Sequence, residues 1–448
     1  MRLASAALAF VLTCGLALDA SPQQITERWY VLHCGALLQT PGQAPLAKVS
    51  LLVKGGRVQE VRSGFIDART IERPAEVEVV TLDLREAFVM PGLVDAHVHL
   101  TVEYGPDSAR RAPPGSDAEA TLRTLSFAQK LLGAGFTTVR DLGSRGDAVF
   151  AVRNAIRQGA FAGPRLVVAG EPITATGGHS DLSFDENEDP LAAVLHGVAD
   201  GPLEVRKAVR QQVKRGADVI KLTATSGVLS DNRSATDQTM FDDELKEIVA
   251  TARQLGRRVA AHAHGPAGIK AALRAGVDSI EHGTYLDDEA ISLFKQSGAF
   301  LVPTVLAGET VSERAKVAGY YSPVVQRKAA EVGPRMKRAL QLAHAQGVRI
   351  AFGTDSGVAP HGENAREFSY MVQAGMSEMQ AIQAATVNAA ELLGLSAEVG
   401  TLEPGKAADV IATSRNPLVD ITELQRVVFV MRNGRIFKND PAGKPGAR

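Results

Sequence analysis

Disulfides, an excess of charge of either sign and internal repeats are all missing from this chain. It has 2 cysteines in 448 residues, and the first, Cys14, lies in an apolar segment that reads as a removable leader. Loss of that leader would leave Cys34 alone, which excludes an internal disulfide even in a compartment that permits one. Lysine and arginine number 49 against 50 aspartates and glutamates, with no long run of either sign. The charge pattern therefore points neither to nucleic acid nor to an anionic membrane surface. What is present, 45% hydrophobic and 22% charged residues, describes a globular chain large enough for one big domain and a smaller one.

The leader is "LASAALAFVLTCGLAL" after Arg2, too short to span a bilayer, followed by "DASPQQ", whose small and polar residues suit a cut after Ala20. Residues 1–20 thus read as an export signal, with a periplasmic or secreted mature protein that has no membrane attachment. The competing reading is an N-terminal helix packed on the domain. Thr13 before Cys14 is a poor match to a lipid-attachment site.

Past the leader, "RWYVLHCGALLQ", "KVSLLVKGGRVQEVRSG" and "VEVVTLDLR" are short alternating runs bounded by Pro and Gly, and "GTLEPGKAADVIATS" and "VVFVMRNGRIF" repeat that texture near the other end. We expect a small β-sandwich built from residues 21–87 and 396–448. Between them, "GLVDAHVHL", "GFTTVRDLG", "PRLVVAGEPITATGG", "ADVIKLTATSG", "RRVAAHAHG", "GVDSIEHGT", "GAFLVPTVL" and "RIAFGTDSG" alternate with helical patterns such as "FDDELKEIVATARQLG". Eight strands alternating with helices over 88–395 predict an α/β fold, a TIM-like (β/α)8 barrel, with chemistry at the C-terminal strand ends.

The polar residues sort by strand. His97 and His99 end the first, where a spacing of two puts both imidazoles on one face of a strand. Lys221 lies in the fourth, His262 and His264 close the fifth, His282 the sixth and Asp355 the eighth. Any one of them has a structural explanation. Together they do not, because burying several imidazoles, a carboxylate and an amine costs many kcal/mol unless they are paired or coordinated. Lys221, between Ile220 and Leu222, faces the barrel interior or the helix layer, and either place pushes its pKa down. A neutral amine there can capture CO₂ as a carbamate, an anion able to bridge two cations.

In this order the motifs "VMPGLVDAHVHL", "VIKLTA", "AAHAHG", "SIEHGT", "FGTDSG", "AATVNAAELLGL" and "GTLEPGKAADVI" resemble the amidohydrolase superfamily. Within it they resemble the imidazolonepropionase-like branch, which contains metal-dependent dipeptidases acting on Xaa-Pro or Xaa-Arg/Lys and ochratoxin amidohydrolases. The resemblance implies two divalent metal ions: His97, His99 and Asp355 on one, His262 and His282 on the other, with a carboxylated Lys221 and a hydroxide bridging them. It also implies a homo-oligomer. Zinc suits imidazole and carboxylate donors, though manganese and cobalt are admitted by the same chemistry.

Periodicity does not separate His262 from His264. His262 is preferred because it sits nearer the strand end, and the family pattern also favours the first histidine of "HAH"; His264 is then a substrate contact or a loop residue. Two cations sharing a water make hydroxide available near neutral pH and polarise a carbonyl. Asp355 would take the proton and pass it to the departing amine.

His179, in "TATGGHSD", is flanked by Gly177 and Gly178, which permit an unusual turn. In the resembling enzymes the histidine of this motif approaches substrate and can stabilise the oxyanion, so His179 is a catalytic and substrate-binding candidate; an exposed loop histidine is the alternative. Tyr104, Val228, Ser226, Arg140 and Asp141 would line the pocket; structural hydrogen bonds at the barrel top are the alternative for Arg140 and Asp141.

The expected activity is cleavage of the amide of a dipeptide or N-acyl amino acid, ochratoxin A included. A mononuclear cyclic-amide hydrolase or deaminase is the second reading, weakened by "HAHGPAG", which has no acid after the fifth strand. A non-catalytic relative is the third. The side chains preferred on either side of the amide are not legible.

Overall fold

A computed structural model describes residues 28–105, 116–181, 197–230 and 234–440. The expected leader, residues 1–20 with Cys14, lies outside them. The apolar runs near both ends form one seven-stranded sheet. Its strands are β1 (Arg28–Leu37), β2 (Leu46–Lys54), β3 (Arg57–Ser63), β4 (Glu78–Pro91), and, from the far end, β13 (Val410–Thr413), β14 (Val427–Arg432) and β15 (Arg435–Asn439), ordered β15-β14-β13-β4-β1-β2-β3. Leu32, Cys34, Leu51, Val89, Phe429 and Met431 form a core on one side, and Val31, Leu52 and Ile71 a smaller one with Trp29. Adjacent residues such as Val31 and Leu32 are therefore both buried, as expected where both faces of a strand are covered. The pairing of β4 with β13 runs from Phe88 to Pro91, so this sheet reaches beyond residue 87 into the segment assigned from sequence to the barrel.

The middle is the α/β barrel. Its strands are β5 (Leu93–Val98), β6 (Phe136–Asp141), β7 (Arg165–Val168), β8 (Val219–Thr223), β9 (Arg258–Ala263), β10 (Ser279–His282), β11 (Phe300–Val302) and β12 (Arg349–Ile350). All neighbouring pairs are parallel, in a sheet of three and a sheet of five. Single parallel bridges, Val98 to Ser356 and Ile173 to Leu222, link the two sheets. Each of the eight apolar runs is one of these strands, in the expected order.

Helices separate the strands and bury one apolar stripe each. Asp117–Gly133 begins with a capping box between Ser116 and Glu119 and buries Phe127, Ala128, Leu131 and Leu132; such a cap contributes about 1 kcal/mol. Asp287 caps Asp288–Ser297 through Ala290 N. Val305–Arg314 is different. Its N-cap residue Thr304 has φ +50° and makes no side-chain cap. No helix among the described residues is long and apolar enough to cross a membrane.

Candidate metal centre

The C-terminal ends of β5, β9 and β10 and the loop after β12 converge on six buried or half-buried groups. His262, His264 and His282 bring one potential ligand atom each within 4.8 Å of one another, and so do His97, His282 and Asp355. The ring centroids of His97 and His99 are 5.3 Å apart, those of His97 and His282 5.2 Å, and those of His262 and His282 4.7 Å.

Each imidazole is held by one nitrogen, leaving the other for the site. His97 Nδ1 is bonded to Glu281 Oε2 at 2.8 Å, His99 Nδ1 to the Gly143 carbonyl at 2.8 Å, and His262 Nε2 to the Ser226 carbonyl at 3.2 Å. His264 Nδ1 meets Thr284 Oγ1 and His282 Nδ1 meets Thr304 Oγ1, both at 2.7 Å. This is how metal-ligating histidines are oriented: the partner on the far nitrogen fixes the tautomer and aims the other lone pair.

Asp355 Oδ1 lies 3.2 Å from His99 Nε2 and 3.6 Å from His97 Nε2, yet it is buried and accepts no well-formed hydrogen bond among the described residues. A carboxylate oxygen so placed is suited to a cation shared with those rings. Strain is concentrated here too. Of the five described non-glycine residues with positive φ, three are Asp355, His282 and the latter's partner Thr304. Such backbones cost of order 1–3 kcal/mol each and persist where the surroundings impose them.

Electrostatics keep four of the five clustered imidazoles neutral; His99 is the exception, since burial lowers it but Asp355 raises it above the ordinary imidazole value. Burial pushes His97 down to about 4 and His264 to about 3, with Lys221 and His179 respectively the next causes. Burial takes His262 and His282 well below the usual imidazole range. Neutral imidazoles offer lone pairs. Lys221, on β8, is 4% exposed, and burial lowers its ammonium to about 8. Its neighbours Ile220 and Leu222 pack in the helix-layer cluster with Leu245, Ile248 and Val249, so strand alternation turns Lys221 inward, toward the candidate ligands. The donor set fits divalent cations.

His179 stacks on His262 with ring centroids 4.3 Å apart and its Nδ1 buried without a hydrogen-bond partner among the described residues. Gly177 has φ +72°, a left-handed turn that glycine accepts without strain. Gly227 is needed opposite, since a Cβ there would fall 2.0 Å from His179 Nδ1. Tyr104 is fixed by its backbone N–H on the Gly357 carbonyl at 2.6 Å, and its phenol is raised by burial and then by the Asp355 charge. Val228 is buried in the apolar cluster that includes Val305 and Val358.

Arg140 and Asp141 are structural. Arg140, 1% exposed, donates to the Ala96 carbonyl, Ser279 and Glu281, while Asp141 accepts from Leu100 N, Gly143 N and Ser144 Oγ. Sequence reasoning missed Glu281, Thr284 and Thr304. A glutamate inside the apolar run "GVDSIEHGT" was the available signal for the first; nothing in the sequence pairs either threonine with its histidine.

The profile of the Amidohydrolase family matches residues 88–437. Ochratoxinase of Aspergillus niger is 36% identical over 438 residues, covering 93% of this chain and 88% of the relative. A solved Xaa-Pro dipeptidase with methionine bound in its active site superposes with a TM-score of 0.86 at 39% identity, over 92% of this chain and all of the other. A prolidase complexed with N-methylphosphonate-L-proline superposes with a TM-score of 0.82 at 29% identity, again over 92% of this chain and all of the other.

Proposed function

The chain belongs to the amidohydrolase family and hydrolyses amide bonds, and from that premise we propose that it uses two divalent metal ions, zinc in the first place, to release a free amino acid from a dipeptide or N-acyl amino acid. The observation that carries this is the set of imidazoles, each with one nitrogen held and one free, converging with Asp355 and a buried Lys221. Relatives acting on Xaa-Pro dipeptides and on ochratoxin support the substrate class.

His97, His99 and Asp355 would hold one ion and His262 and His282 the other, with Lys221, carboxylated, between them. When bound, such ions supply hydroxide near neutral pH and polarise the scissile carbonyl. Asp355 sits against both His97 and His99, where it can accept the proton of the attacking water and deliver it to the departing amine. His179, stacked over His262 with its Nδ1 unpartnered among the described residues, would donate to the carbonyl oxygen and stabilise its developing charge. Burial holds the ring neutral at about 4, so it acts as a hydrogen-bond donor and not as an imidazolium.

His264 remains a rival of His262, since its free nitrogen reaches the same cluster. The preference for His262 rests on its place within β9, which ends at Ala263 before His264, and on the family pattern; His264 would then contact substrate. Export through residues 1–20 and assembly into a homo-oligomer belong to the same proposal; the N-terminal sequence of the exported protein and light scattering test them.

The decisive experiment is metal analysis with a substrate panel. Purified protein should hold two zinc-like ions per chain and cleave Xaa-Pro, Xaa-Arg, Xaa-Phe or N-acyl amino acids. Blocking the substrate carboxylate as an amide should slow it strongly. Deamination or cyclic-amide opening with no action on any of these would replace this reading by the mononuclear one.

A further inference from the structure

The segment after the eighth strand, residues 361–367, reads "HGENARE" and contributes no group to either candidate cluster, yet its three buried polar side chains reach the supports of three different strand ends. His361 stacks on Phe127, centroids 4.1 Å apart and planes 8° from parallel. Its Nδ1 is 2.9 Å from Glu103 Oε2 and its Nε2 3.1 Å from the carbonyl of His99. Asn364, fully buried, donates from Nδ2 to Asp95 Oδ2 at 2.7 Å and to Thr354 Oγ1 at 3.1 Å. Asp95 in turn accepts from His97 N at 3.0 Å and Thr354 Oγ1 at 2.7 Å, so this one amide ties the strand of His97 to the residue before Asp355.

Glu367, also fully buried, accepts from Val305 N at 2.9 Å and Leu306 N at 2.6 Å. These are the first two N–H groups of the helix Val305–Arg314, whose own N-cap residue supplies no side-chain cap. Its two oxygens satisfy orphan donors at that end, although burial raises the acid to about 8 against the pull of those two N–H groups. It fixes the helix start and, through it, Thr304, whose hydroxyl holds His282 Nδ1 at 2.7 Å.

We infer that His361, Asn364 and Glu367 are positioning residues that lock the two halves of the metal centre to one segment: His361 sets the strand end of His99, Asn364 that of His97 and Asp355, and Glu367 the ring of His282. The three lie at spacings of three, so both halves are referred to one short stretch of backbone. This rests on the two-ion reading above. It goes beyond it in assigning the alignment of the two halves to residues that touch neither ion nor substrate.

The test uses the full chain with Glu367→Ala, Glu367→Gln, Asn364→Ala and His361→Ala. Zinc content at buffered free metal, release of each ion to a chelator, and the melting curve are measured beside kcat and KM. Glu367→Ala should weaken the ion on the His282 side by roughly 10- to 100-fold, the range for lost outer-sphere support, and leave the other ion tight. His361→Ala should do the reverse. Asn364→Ala should loosen the His97 and Asp355 ion, and in all three kcat should fall more than KM rises. Glu367→Gln keeps the volume and one acceptor, so it should lie between wild type and Glu367→Ala, and it decides the matter if the alanine variant does not melt cooperatively. Cooperatively folded Glu367→Gln and His361→Ala proteins that hold both ions as tightly as wild type overturn the inference. Wild type holding fewer than two ions overturns the two-ion reading instead.

Discussion

His97 and Glu281 share a buried hydrogen bond of 2.8 Å from Nδ1 to Oε2, and the other carboxylate oxygen of Glu281 is taken by Arg140 at 3.0 Å. Burial alone would raise Glu281, but the Arg140 guanidinium and then His97 hold it well below the usual carboxylate range. Glu281→Gln would leave Arg140 buried without its counter-charge, and its single amide oxygen would serve His97 or Arg140 but not both. We expect a loss of about 3–5 kcal/mol of stability and metal binding weakened roughly 10- to 100-fold. Denaturant unfolding with zinc analysis checks both, and a Glu281→Gln protein as stable and as metallated as wild type would refute the assignment.

The two histidines of β9 are separable by single substitutions. His262→Ala should lose an ion, whereas His264→Ala should keep both and bind substrate less well. The opposite pattern in metal content would exchange their roles.

Lys221→Arg keeps a positive charge but offers no amine for a carbamate, so it should lose the second ion and nearly all turnover. Lys221→Ala opens space beside the ions. Added acetate or propionate should restore part of its activity in a concentration-dependent way, and no recovery across a wide range of such acids would count against the bridge.

His179→Ala should leave the metal content unchanged while kcat/KM falls by at least about tenfold, each factor of ten being about 1.4 kcal/mol of transition-state stabilisation. Stripped metal in this variant would show that the ring supports His262 structurally.

Cys34 is fully buried, and burial pushes its thiol up to about 12. Since the thiolate is the reactive form, folded protein should resist a thiol reagent at pH 8 and react fully once denatured. Reaction of the native protein at the rate of a free thiol would contradict the packing of the end sheet.

Much of the site was legible because its donors end apolar strands. His97 and His99 stand out at a spacing of two, and Asp355 closes "RIAFGTDSG". The supports were not legible, for a physical reason. Glu281 is adjacent to a ligand candidate, but what makes it matter is Arg140 on another strand, a pairing that no local pattern records. Thr304 has a left-handed backbone, and the N–H of the next residue, Val305, is held by Glu367 of a later helix. His262 and His264 stayed unresolved since each ends with one tethered nitrogen and one free. The end domain was legible as strands near both ends; that β4 joins them in one sheet follows from tertiary pairing alone.

That pairing has a consequence in time. The stretch Phe88–Pro91 of β4 meets β1 on one side, through Ala36 and Leu37, but finds its neighbour on the other side only in Val410–Thr413, roughly 320 residues later in synthesis. At about 5–20 residues per second, the nascent chain carries a bare apolar sheet edge for tens of seconds. Such an edge is a template for pairing with other chains, so the half-made chain is more exposed to wrong pairing than one whose neighbouring strands follow one another directly.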